Sequence, residues 1–135
     1  MEKIQQRSLV LILARELADN SATPMFVVDP DGTLVFFNEP AEKVLGRSFA
    51  ETGALGPQEW GSVFEPVDDE GKPIPIERLP LNKAMRLLTP AHMEMSITGL
   101  DGERRKIAVT AFPLFARAND FVGAVAIFWE ETPSG

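Results

Sequence analysis

The side chains able to do chemistry are few, and backbone geometry already accounts for most of them. There is one histidine, His92, and no cysteine. Without a thiol there is no disulfide, zinc–thiolate site, iron–sulfur cluster or thiol nucleophile. Imidazole is a favoured iron ligand. Yet His92 begins the stretch His92–Thr98, where Met93, Met95 and Ile97 alternate onto one face. It falls out of phase with those apolar positions and reads as a surface histidine, so no metal site is expected. The carboxylates Asp29, Asp31, Glu39, Asp68, Asp69, Glu70, Asp101 and Glu103 lie almost entirely in turns and caps, where they serve backbone N–H groups. No nucleophile–base pair and no glycine-rich phosphate loop stands out. No catalytic residue is expected.

Apolar side chains offer more. Phe36, Leu81, Met85, Leu88, Met93, Met95, Ile97, Val109 and Ile127 form a candidate ligand pocket. The same pattern also serves a solid core, and soft methionine side chains adapt to either. Arg78, Lys83 and Arg86 are the nearest basic residues. Trp60 and Trp129 could stack on a planar ring, although packing is the commoner use of tryptophan.

These residues need elements to hold them. Glu2–Asp19 has no Gly or Pro and reads as a helix, apolar well beyond one face. Such a helix must be covered on more than one side, which makes Leu9, Val10, Leu13 and Leu17 candidates for a dimer contact. Met25–Asp29 and Thr33–Phe37 flank the turn Pro30-Asp31-Gly32 and predict a hairpin. Asn38 follows as N-cap of a helix carrying Pro40 in its first turn and closed by Gly46. Residues 47–75 are irregular, with a short helix expected around Pro57 to Val63. Pro80 opens an amphipathic helix with Leu81, Ala84, Met85 and Leu88 on one face. Three strands close the chain: His92–Thr98, Arg105–Phe115 and Phe121–Glu130, the last apolar on both faces. The expected fold is α+β. A five-stranded antiparallel sheet carries short helices on one face, and the N-terminal helix can cover the other.

Length and charge narrow the classes. The chain has 135 residues, 44% hydrophobic and 24% charged, which suits one globular domain. Expected divisions are an N-terminal helix over 1–20, a domain over 21–132 and a tail over 133–135. Thirteen basic against 20 acidic residues give a net charge of −7, which repels nucleic-acid backbones. The only dense basic cluster, Arg104-Arg105-Lys106, reads as a solvated strand start. The longest apolar run, Leu9–Ala14, is six residues, far below the roughly 20 of a membrane span. No export signal is read, and a cytoplasmic setting is expected.

From Asn20 to Thr132 the chain resembles a PAS domain, the small sensor module of signalling proteins. Met25–Asn38 is similar to the family's opening hairpin with its closing Asn, and Glu39–Gly46 to the helix and glycine that follow. Asp69–Pro75 and Leu79-Pro80-Leu81 resemble the linker and entry to the core helix. Asp101-Gly102, Pro113-Leu114 and Gly123-Ala124-Val125 resemble the later strands. Several expectations follow from the resemblance. The module is non-catalytic, sensory and dimerising, with an output domain or protein as partner. Haem is disfavoured, because relatives that bind it use a core-helix His and Leu81–Leu88 has none. A thiol-linked flavin is excluded by the lack of Cys, whereas a non-covalent flavin or a small apolar ligand stays open. The family's Asp-x-Thr exit motif is matched by Glu130-Glu131-Thr132. The alternatives are a dedicated receptor for a lipid-like molecule or flavin, and a cone-fold isomerase. Glu94 falls on the polar phase of its strand, which disfavours the enzyme.

Overall fold

Asp29 shows how directly local chemistry becomes structure here. Its Oδ1 accepts from the backbone N–H of Asp31 (2.9 Å) and of Thr33 (3.0 Å), tightening the turn between β1 (Met25–Val28) and β2 (Leu34–Phe37). The structure, a computed structural model, describes residues 2–56, 59–60, 63–117 and 120–131. Ahead of the hairpin runs α1 (Glu2–Asp19). After it come α2 (Glu39–Leu45), α3 (Phe49–Thr52), a 3-10 turn (Ile76–Arg78), α4 (Pro80–Leu87), β3 (Ala91–Thr98), β4 (Arg104–Phe115) and β5 (Phe121–Glu130). The five strands form one antiparallel sheet in the order β2-β1-β5-β4-β3. The α3 helix was not expected. The short helix expected around Pro57 to Val63 falls partly on residues outside those described.

Both sheet faces are apolar and both are used. The inner face carries Phe26, Phe37, Met95, Ile97, Ile107, Val109, Ala126 and Phe128 and packs against α2, α4 and the intervening loops. On the outer face, Ala14 and Ala18 of α1 pack against Met25, Val27, Phe36 and Val125. Small residues let the helix lie close. At Gly123 (φ 148°) a Cβ would meet the Val28 carbonyl at 2.5 Å and Leu11 at 2.9 Å, so this approach needs glycine. The guanidinium of Arg15 lies 4.8 Å from the Phe36 ring centroid, a cation–π contact that closes this layer. One irregular stretch touches both outer strands: Leu34 exchanges backbone hydrogen bonds with Leu55, and Ser96 with Val67.

Asn38 is 1% exposed, and its amide is fully used. Nδ2 donates to the carbonyls of Ala18 and Thr23, both at 2.8 Å. Oδ1 accepts from the N–H of Met25 (3.0 Å) and of Ala41 (3.1 Å). It is therefore the N-cap of α2, as its position predicts, and also the fastener of α1.

Asn38→Ala leaves these backbone groups without partners. The expected loss is about 3 kcal/mol in chemical denaturation, with amide protection falling first in the last turn of α1. A stability within experimental error of the parent would contradict this account.

Candidate functional site

Between the inner sheet face and the helices lies a cavity of about 80 Å³. Phe26 of β1, Leu45 of α2, Leu81 of α4 and the strand residues Met95, Ile97, Ile107, Val109, Ala126 and Phe128 form most of its wall. Trp60, Phe64, Pro66, Leu79 and Pro80 complete it. No lining side chain is ionisable. Among the described residues the only polar side-chain group on the wall is the Trp60 indole N–H, which donates to the Gly32 carbonyl at 2.7 Å.

Of the expected pocket residues, Leu81, Met95, Ile97 and Val109 line this cavity. Met85 and Met93 pack half-buried against the same core without lining it. Phe36 and Ile127 lie on the opposite face, in the α1 layer. The register explains both: Phe36 pairs with Val27, and Ile127 with Met25 and Thr110, and neighbours across a ladder share a face. Leu88 corrects the helix extrapolation. It is the C-cap of α4 in left-handed conformation (φ 56°) and is 45% exposed, because the helix stops one residue before its stripe would bring Leu88 round. Trp60, named as a stacking candidate but not among the pocket residues, and Phe64, which was missed, sit in the irregular stretch, where no periodicity assigns a face.

The outer face holds a second depression. A groove of about 250 Å³ runs between α1 and the sheet, lined by Val10, Leu13, Ala14, Leu17, Met25, Phe112, Leu114 and Val125. Leu9, Ile12, Leu13 and Leu17 are more than half exposed beside it. Further along this face His92 accepts or donates through Nδ1 to the Thr110 hydroxyl (2.8 Å), with the Trp129 ring 6.3 Å away. Arg78, Lys83 and Arg86 do not line the inner cavity. Among the described residues no cluster of His, Asp and Glu could hold a metal ion, and no helix is long and apolar enough to cross a membrane.

The basic run on β4 is not uniformly solvated. Arg104 and Lys106 are exposed, but Arg105 turns to the helix side, its side chain only 15% exposed. Nη1 donates to the Val44 carbonyl at the end of α2 (3.0 Å). Its two Nη atoms grip the Asp101 carboxylate at 3.2 and 3.0 Å. Nη2 also reaches Glu103 (3.3 Å), and Nε pairs with Glu130 at the end of β5 (3.1 Å). The Leu100 N–H adds a bond to the Leu45 carbonyl at 2.7 Å. Gly46 (φ 83°) is required here, since a Cβ would stand 2.6 Å from the Asp101 nitrogen.

The PAS fold family matches residues 13–128. The chain belongs to the PAS family. Its solved structural neighbours agree in fold at low identity. The LOV protein of Rhodobacter sphaeroides is 14% identical with a TM-score of 0.69, covering 100% of this chain and 71% of its own. The PAS domain of an HTR-like protein from Haloarcula marismortui is 18% identical with a TM-score of 0.59, covering 96% and 98%. The PAS domain of Bordetella pertussis BvgS is 17% identical with a TM-score of 0.57, covering 91% and 86%. No curated protein matches the chain. PAS domains are sensory modules, and those with solved structures similar to this one include light–oxygen–voltage receptors and a sensor histidine kinase domain.

A flavin, which the family resemblance leaves open, does not fit the residues this PAS domain presents. The isoalloxazine edge carries amide-like N–H and C=O groups, and burying one without a partner costs about 2–7 kcal/mol. Among the described residues the inner cavity offers no unpaired side-chain partner. Its volume of about 80 Å³ also lies well below the roughly 300 Å³ at which cofactor pockets begin. Of the residues expected to form a signal exit, Glu130 meets a cation, Arg105; Thr132 lies outside the described residues.

The Arg105 guanidinium, followed by the Glu103 backbone N–H, holds the Asp101 carboxyl below its usual range. A depressed folded-state pKa contributes stability that is complete above the unfolded value and is lost as pH falls through the folded one. Asp101→Asn should therefore destabilise the domain at pH 6. The gap from the parent should narrow on acidification below about pH 4, where the carboxyl takes up its proton. Denaturation curves across that interval check this, and a pH-independent gap would contradict it.

Proposed function

We propose that this PAS domain is a sensory and dimerising module. A second copy docks along α1, and the end of β5 carries the signal outward. The observation that supports this reading best is the pairing of an exposed apolar stripe with an apolar groove on one surface. Leu9, Leu13 and Leu17 recur every four residues and, with Ile12, stand out from the helix. The adjacent groove is lined by apolar residues throughout. A surface that holds both the projecting stripe and its receiving groove can pair with itself about a two-fold axis. The run Ser8–Ala14 carries no charge, so it can enter the groove without desolvating an ion. Each leucine so buried contributes roughly 1.5–3 kcal/mol.

Signal entry is assigned to the inner cavity, and exit to Glu130 and Thr132. Support for the exit comes from Arg105, which joins the end of α2, next to the cavity wall at Leu45, to Glu130. An output domain or protein at the chain ends and a setting inside the cell belong to the same reading. A catalytic function finds no ionisable group on the cavity wall to build on.

Sedimentation of the intact chain at tens of micromolar, well above a typical weak-dimer Kd, should give a dimer. Leu13→Lys with Leu17→Lys should give a folded monomer. A monomeric parent would overturn the reading. Glu130→Ala should cost about 1 kcal/mol or less and raise hydrogen exchange in α1. Unchanged exchange there would leave Glu130 as a surface ion pair only.

A further inference from the structure

We propose that the inner cavity is a dry site for a small molecule without hydrogen-bonding groups, such as an apolar gas or a hydrocarbon of a few carbons, and that it rejects flavins and lipid-like chains. The inference rests on reading the cavity as the sensory site and names the chemistry of what enters it.

Three observations carry it. The first is size. At about 80 Å³ the space is about half that of a roughly 150 Å³ engineered apolar cavity that stays dry and takes up benzene or xenon. A ring system or a long acyl chain is too large for it. The second is the wall. Among the described residues the lining side chains are apolar, and the Trp60 indole N–H is already committed to the Gly32 carbonyl. The third is the backbone behind the wall. Met95, Ile97, Ile107, Val109, Ala126 and Phe128 lie within the β3–β4–β5 ladders, where main-chain groups pair across strands. A water molecule needs two to four polar partners to stay in a cavity, and a flavin edge needs several. Neither finds them. What remains favourable is dispersion contact with close-packed apolar atoms, which asks only that a guest be small and apolar. Met95 adds a side chain soft enough to adjust to the guest.

The test uses the full chain with methyl-labelled Met and Ile under xenon pressure. Saturable shifts are expected at the Met95, Ile97 and Ile107 methyls, and none at Ile127, which is on the outer face and lines neither the cavity nor the groove. Ala126→Val and Val109→Ile each add methyl groups to the wall. Whichever of them folds should weaken the xenon response by about tenfold or more. Riboflavin up to roughly 100 μM should show no quenching of its fluorescence. Three results would overturn the proposal: no xenon shifts at the three wall methyls, shifts undiminished in the folded filling variants, or riboflavin binding. Sedimentation and α1 exchange measured with and without xenon separate this from the sensory reading. Binding that leaves both unchanged upholds the ligand class and removes the cavity's role in signalling. Riboflavin binding that alters α1 exchange does the reverse.

Discussion

Four backbone segments of this PAS domain meet on one carboxamide. Asn38 ties the last turn of α1, the linker at Thr23, the start of β1 and the first turn of α2. Because α1 lies on the outer sheet face and α2 on the inner one, a single buried side chain ties both layers to the sheet. An amide has two donors and a two-pair acceptor, and here all are used. Aspartate would turn acceptors toward two carbonyls, and leucine would supply neither function. The layered arrangement, and with it the cavity and the groove, depends on that pattern of hydrogen bonds.

The two faces of the sheet then take different character. The inner face is packed with aromatic rings: the Phe26 ring stands edge-on to Phe64 and Phe128 and stacks on Phe37. The outer face is only partly covered, since α1 spans part of its width and leaves Trp129 open to solvent. Arg105 belongs to the inner side yet ends at Glu130, the last residue of β5. It is a side-chain link between the helix layer and the end of the closing strand.

What could be read in the residues followed how local the determining physics is. The boundaries of α1, the hairpin at Asp29, the cap at Asn38 and the closing Gly46 each rest on a few neighbouring residues, and the structure reproduces them. Strand faces were harder. Phe36-Phe37 and Ile127-Phe128 are adjacent apolar pairs on strands buried on both sides, so alternation cannot say which member turns inward; only the register does. Trp60, Phe64 and Pro66 reach the cavity from a stretch with no period at all. Arg105 looked like its exposed neighbours because its partners, Val44, Asp101 and Glu130, are brought together only by the fold.

The irregular stretch between α2 and α4 has one more consequence. Leu55 bonds to β2 and Val67 to β3, the first and last strands of the sheet. An open sheet edge is a template on which another chain can add a strand, and repetition of that step builds fibres. Here one connecting segment reaches both margins and occupies part of each with backbone partners from the same molecule. Polymerisation by strand addition is hindered at its two points of growth.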